Sequence, residues 1–233
     1  LLKTANSIPD KPVWVAGSGP LALLYMTQLL AAGGRIAGYL DTTPRGRLLA
    51  ALPKLPRGLG RIGDLAKGMG WLLQLKRAGV PIYRHVSGLR AEGTARLERL
   101  RFWVGDGREQ DVPAEVLLVH EGVIPGIHAP LALGCAAAWD NAQNCQVPVV
   151  DNWGETTEAN IFVVGDGAGI AGAEAAEPRG RIAALRITAR LGRLDGARAE
   201  AAAQSQRSAL SHALALRPFL DALYAPRAEI FAP

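Results

Sequence analysis

Two glycine clusters hold the residue types and spacings from which a binding chemistry could be built. They are Gly17-Ser18-Gly19-Pro20, followed by Leu21, and Gly165-Asp166-Gly167-Ala168-Gly169, followed by Gly172 and Ala173. In the first, Gly17 suits a sharp turn. Gly19, with no Cβ, lets a pyrophosphate approach the backbone, and Ala22 is small where a helix must pack close on a strand. Asp41 lies 24 residues after Gly17, where an acid would hold a ribose diol. Arg45 and Arg47 follow it and suit either a 2′-phosphate or a solvated loop. In the second cluster, Asp166 ends an apolar run. An acid fixed there can accept hydrogen bonds from a polyol, and the helix N-terminus beyond it can face an anionic or electron-rich ring edge. The small residues Gly167, Ala168, Gly169 and Gly172 leave room for a large flat ligand. A tight turn with Asp166 as an ordinary helix cap accounts for the same residues.

Neither cluster offers an acid, base or nucleophile placed for bond making. Cys135 and Cys145 lie ten residues apart, which is neither a redox pair nor a metal spacing. They fit buried thiols of a reducing compartment. His85, His120, His128 and His212 are scattered, so no metal site is expected.

The elements that must position these clusters follow from periodicity. Residues 13–16 are a short apolar run of the kind a parallel sheet buries on both faces. Pro20 suits a first helical position. The segment 21–32 reads as helix, stopped by Gly33-Gly34, and 35–40 as a second strand. A short helix is expected at 47–52. A longer one is expected at 64–78, capped by Asp64, with Leu65, Met69, Leu72, Leu73 and Leu75 as its apolar face. Residues 81–86 read as a third parallel strand. Ser87–Glu92, 97–104 and 109–112 alternate as a small antiparallel meander, with a hairpin turn at Gly105-Asp106-Gly107. The run 115–120 should return the chain to the parallel core. Further on, strands are expected at 147–152 and, buried, at 161–164. A helix is expected at 171–191 with a kink or break at Pro178, and a helical tail after it with Pro218 near the start of a last short helix.

The chain has 233 residues and a formal charge of +5, from 26 basic and 21 acidic side chains. The surplus is spread thinly, with no dense basic patch interleaved with aromatics, which argues against nucleic acid. No apolar run reaches the roughly 18 residues of a membrane span.

The order of motifs resembles the FAD- and NAD(P)-dependent pyridine nucleotide-disulfide oxidoreductase superfamily: a GxGP unit, a meander, VHEGVIPG, a Trp-Gly turn, then IFVVGDGAG. More closely it is similar to the A-type subunits of opine oxidase, hydrogen cyanide synthase and hydroxyproline or proline dehydrogenase. The resembling segments are 11–43, 71–85, 116–126, 133–151 and 160–185, over half of the chain. The resemblance implies an α/β, Rossmann-like two-dinucleotide flavoprotein fold. Its parts would be a linker at 1–10, a complete inserted nucleotide domain at 11–125, the C-terminal half of an FAD domain at 126–193, and a helical tail at 194–233.

Carried over, Asp166 would hold the flavin ribitol, and Gly165 with Gly167, Ala168 and Gly169 would line it. Gly172 and Ala173 would open a helix towards the isoalloxazine. Gly17, Ser18, Gly19, Pro20, Leu21 and Asp41 would bind NAD(P), ADP or ATP in the inserted domain. The GxGxxG unit that grips the FAD pyrophosphate and the iron–sulfur module are not in these residues, so an internal piece of a longer subunit is expected. The implied activity is electron transfer by a cytoplasmic flavoprotein subunit. Its partner would be an FAD-containing subunit that oxidises an opine, hydroxyproline or glycine, and it would deliver to an electron acceptor. Two rivals remain at this stage: an NAD(P)H-dependent flavin reductase of the ferredoxin or nitrite reductase type, and a non-enzymatic nucleotide-binding module.

Overall fold

The computed structural model describes residues 7–105 and 107–230, so Asp106 of the expected hairpin turn and most of the expected linker lie outside the described residues. Two compact units result. The first takes in the chain up to Leu52, Ile62–Gly122 and the segment from Arg227; the second takes in Pro53–Arg61 and Val123–Pro226.

The first unit is built on β1 (Val13–Gly17), α1 (Pro20–Ala31) and β2 (Ile36–Asp41). After these come α2 (Arg47–Ala51), α3 (Ile62–Arg77) and β3 (Ile82–Arg84). Then follow β4 (Ser87–Glu92), β5 (Arg99–Trp103), β6 (Glu109–Pro113) and β7 (Val116–His120). The sheet order is β3-β2-β1-β7, all parallel, and β4-β5-β6 form a separate antiparallel sheet. The expected return of the chain to the parallel core is therefore what β7 does. Because strand side chains alternate between faces, β1 feeds two cores at once. Val13 and Val15 pack with Leu23, Met26, Leu29 and Leu75 from the helices. Trp14 and Ala16 pack with Leu40, Leu100 and Phe102 on the meander side. There Trp14, Tyr83 and Phe102 form an aromatic cluster, and Trp14 Nε1 donates to Pro113 O at 3.1 Å. Gly38 makes room for this ring: a Cβ there would lie 2.3 Å from Trp14.

The helix α3 departs from expectation in two ways. It starts at Ile62, so Asp64 sits within the first turn, near the positive helix end, instead of capping it. Its inward stripe is Trp71, Leu72 and Leu75, while Met69 and Leu73 are 59% and 47% exposed. Met69 and Leu73 lie four apart on a second stripe that is turned outward, whereas Leu65, one turn before them, is half-buried.

The second unit contains α4 (His128–Ala132), the hairpin β8 (Ala137–Asp140) with β9 (Cys145–Pro148), α5 (Ala173–Arg190), α6 (Gly196–Leu214) and α7 (Arg217–Leu223). The strand expected at 147–152 is shifted: β9 ends at Pro148, and Val150 makes only an isolated bridge to Thr156. The run 161–164 is neither a strand nor buried. Phe162 makes one antiparallel bridge to Glu155, and Val164 is 37% exposed. An apolar run becomes a strand only when backbone partners lie alongside it, and among the described residues a single bridge is all it finds. No break occurs at Pro178, through which α5 runs continuously; its position in the second turn limits the loss to one backbone bond. The helices α5 and α6 pack through small side chains, with Ala175, Ala183, Ala199 and Ala203 buried beside Ile182. Asp195 caps α6 by accepting from Arg198 N at 3.1 Å, and Pro218 sits in the first turn of α7. Cys135 and Cys145 are buried free thiols, as expected.

Candidate functional site

Sheet order β3-β2-β1-β7 places a change of direction at β1, and ligands of open α/β sheets bind outside the carboxyl ends of the strands at such a point. Gly17, Ser18 and Gly19 occupy that end of β1. The turn is closed by Ser18 N donating to His120 O (3.2 Å), Thr42 N donating to Gly17 O (3.1 Å) and the Tyr39 hydroxyl donating to Gly17 O (3.2 Å). Gly17, at φ +143°, is required by contact: a Cβ there would lie 1.8 Å from His120 O. Gly19 is the N-cap of α1 at φ +92°, and no side chain caps that helix. Its first N–H groups therefore have no side-chain acceptor, and Pro20 removes one donor at no cost. A phosphate fits this cradle by the same physics that binds anions at other uncapped helix starts. Leu21, on the first turn, is 49% exposed.

Asp41 ends β2, where its Oδ1 accepts from Thr43 N at 3.0 Å. Next to it Thr42 is buried, and its hydroxyl donates to Glu121 Oε2 at 3.1 Å. Glu121 Oε1 also accepts from Arg227 at 2.7 Å. Burial holds the half-buried His120 imidazole below its ordinary pKa, with the Glu121 charge opposing, so the ring is neutral near pH 7. Thr42, His120, Glu121 and Arg227 were not singled out in the sequence. For Thr42 and Glu121 the usable signal was that polar residues directly following an apolar parallel strand face the ligand crevice; Arg227, after α7, carried no such signal.

The second cluster is built differently. Gly165–Ala168 form a 3₁₀ turn, and Gly172 is the N-cap of α5, which starts on Ala173. Asp166 Oδ1 accepts from Ala171 N (3.0 Å) and Gly172 N (2.9 Å). Arg179 reaches back from α5 and donates to Gly165 O (2.8 Å) and Gly169 O (2.9 Å). Gln143 clamps the far side, donating to Ile170 O (2.7 Å) and accepting from Ile170 N (3.0 Å). Partial burial works to raise the Asp166 pKa. The two backbone N–H bonds, with Arg179 and Arg217 nearby, outweigh it and leave the carboxyl below its ordinary value. Asp166 thus acts as a loop cap through Oδ1 while Oδ2 stays available, which is the arrangement a ligand hydroxyl would need. Gly167 and Ala168 lie within the turn and Gly169 follows it. Arg179 and Gln143 were invisible in the sequence, since each acts on a backbone segment far along the chain.

Among the described residues no group of three or more His, Cys, Asp or Glu side chains could hold a metal, and no helix is long and apolar enough to cross a membrane.

Comparison with known proteins agrees with this architecture. The chain is 39% identical over 235 residues to the A-type subunit of opine oxidase from Agrobacterium tumefaciens (strain Ach5), covering 100% of this chain and 46% of that protein. It is 29% identical over 231 residues to hydrogen cyanide synthase subunit HcnB of Pseudomonas protegens, covering 94% of this chain and 48% of that one. The chain therefore spans about half the length of the curated relatives it matches. No family model matches. Among solved structures, the bacillithiol disulfide reductase Bdr of Staphylococcus aureus superposes with a TM-score of 0.53 at 14% identity, over 78% of this chain and 51% of that one.

The fold is accordingly the Rossmann-like α/β fold of that reductase. In sequence the chain is a relative of the opine oxidase A-type subunits and HcnB, as the motif order implied.

Proposed function

We propose that this chain is the nucleotide-binding and flavin-cradling part of an FAD-dependent oxidoreductase subunit. That subunit would carry electrons within a hetero-oligomeric amine or amino-acid dehydrogenase. The observation that supports this reading best is the likeness to the opine oxidase A-type subunit along the whole chain. That relative is by name one subunit of an oxidase, so a second, substrate-oxidising, FAD-containing subunit is the expected partner. An opine, hydroxyproline or glycine is the expected substrate.

FAD, when bound, supplies the two-electron chemistry; the protein binds and orients it. On this reading Asp166 Oδ2 accepts from a ribitol hydroxyl, Gly165, Gly167, Ala168 and Gly169 keep the wall low, and Gly172 and Ala173 aim the α5 N-terminus at the ring. The turn Gly17-Ser18-Gly19-Pro20, with Leu21 and Asp41, takes NAD(P), ADP or ATP. Any iron–sulfur centre and the final electron acceptor belong outside these residues, and the compartment is the reducing cytoplasm that two buried free thiols suit. Those thiols also separate the chain from dithiol chemistry. Burial raises the Cys145 thiol pKa, helped by Asp140 and Asp221, which disfavours the reactive thiolate.

Rapid-mixing spectroscopy on the full-length protein in complex with its partner tests this. Flavin bleaching by an opine or amino acid, but not by NADH or NADPH alone, is the expected result. Rapid bleaching by NADPH without the partner would replace it with the flavin reductase reading.

A further inference from the structure

Where Asp166 aims its second oxygen depends on two backbone amides, those of Ala171 and Gly172, which both bond Oδ1. Ile170 stands immediately before them, and one distant side chain holds it on both sides. Gln143 Nε2 donates to Ile170 O at 2.7 Å, and Ile170 N donates to Gln143 Oε1 at 3.0 Å. The side-chain amide thus takes both polar groups of a single residue, as a neighbouring antiparallel strand would. No strand precedes this turn, so the amide supplies a fixed point that the sheet does not.

Gln143 is itself held in place. It lies in the turn between β8 and β9, where Asp140, the last residue of β8, accepts through Oδ1 from Ala142 N (2.7 Å) and Gln143 N (3.1 Å). The other end of the hairpin also touches the turn: a Cβ on Gly169 would lie 3.9 Å from Val147 Cγ1. A continuous set of hydrogen bonds therefore runs from Asp140 to the Gln143 backbone, from the Gln143 amide to Ile170, and from the next two residues to Asp166. Only a side chain with a donor and an acceptor at this length can make the middle link.

We infer that Gln143 is a positioning residue for the flavin ribitol. It fixes the peptide that carries the two amides, and so sets the direction of Asp166 Oδ2 without touching the ligand. The inference rests on the flavin reading of Asp166 above. A loop bound in advance in the right shape loses less freedom when the ligand arrives, so the clamp acts through affinity.

The test is titration of FAD, read by flavin fluorescence, into the full-length subunit stripped of its flavin. Asp166→Ala and Gln143→Leu should each raise the FAD Kd about tenfold, since each removes hydrogen bonds worth about that factor. The double variant should bind within about twofold of Asp166→Ala alone, because Gln143 acts through Asp166. Gln143→Glu adds a pH profile. Its protonated carboxyl can donate to Ile170 O and accept from Ile170 N; its carboxylate has no donor, and the Asp140 charge beside it raises the pH at which the proton leaves. Its Kd should rise about fivefold or more from about pH 5.5 to pH 8, while the parent and Gln143→Leu change less than about twofold. Asp166, with its pKa below the ordinary value, stays ionised throughout. Losses that multiply in the double variant, a flat profile for Gln143→Glu, or a Gln143→Leu Kd equal to that of the parent would each overturn the inference while leaving the flavin reading intact. A full-length subunit that takes up no FAD, or whose FAD Kd ignores Asp166→Ala, overturns the flavin reading of this turn and the inference with it.

Discussion

The two glycine turns are written alike in the sequence, as an apolar run, a pair of glycines and a helix, yet different forces hold them. At Gly17 the turn is the end of a fully paired strand. Its carbonyl accepts from Thr42 N and the Tyr39 hydroxyl, and its Cα hydrogen faces His120 O with no space for a methyl group. At Gly165 no strand precedes the turn. Three side chains, Asp166, Arg179 and Gln143, bond its backbone groups instead. The first turn is therefore as stable as the sheet behind it, and the second only as stable as a few polar contacts at a partly wetted surface.

The largest test of this contrast is Gly17→Val. It places carbon on His120 O, in a backbone conformation that valine avoids. A loss of about 4 kcal/mol or more is expected in urea denaturation; a loss below about 1 kcal/mol would mean that β1 and β7 separate easily. Phe102→Ala comes next. Phe102 is fully buried beneath the meander against Trp14 and Tyr83. Removing it should cost about 3–5 kcal/mol, again by denaturation, with the near-ultraviolet tryptophan signal altered.

The same contrast explains what could be read in advance. The β1–α1–β2 order, the meander and the return of β7 were legible because each follows from short-range pattern: apolar runs, alternation, and glycine or proline at the joints. The outward stripe of α3 was not, because Met69 and Leu73 are as apolar as Trp71 and Leu72, and only the packing partner decides which stripe turns inward. Nor was the state of 161–164. Its composition suits a strand, but a strand is a property of neighbours as much as of residues. In the candidate site, the glycines and Asp41 stood out by spacing, whereas Gly38 under Trp14 and Arg179 on the second turn depend on contacts that no local window contains.

Smaller effects probe the second turn alone. Arg179→Met keeps the stem of the side chain and removes the donor shared by Gly165 O and Gly169 O. The guanidinium is half-buried, and that burial lowers its pKa from the ordinary value, with Asp166 opposing. About 1–2 kcal/mol is the expected loss, visible as faster hydrogen exchange at Ala171 and Gly172 while the amides of β1 keep their protection. Equal acceleration in β1 would show that the two turns are not independently held.

The smallest effect is a pH dependence. Partial burial works to raise the Asp166 carboxyl pKa, but its backbone N–H bonds and nearby arginines bring it below the ordinary value. A carboxyl whose folded pKa is lowered contributes stability above its unfolded pKa and loses it as pH falls through the folded one. The contribution is thus complete at neutral pH and fades from about pH 4 downward. Because the carboxylate is exposed, solvent screening keeps it below about 1 kcal/mol. Asp166→Asn retains an oxygen acceptor without the charge. The variant should therefore be slightly less stable than the parent at pH 7 and converge with it as falling pH protonates the Asp166 carboxyl. Parallel stability curves across that range would show that hydrogen-bond geometry alone sets the second turn, and that the charge of Asp166 plays no part in holding it.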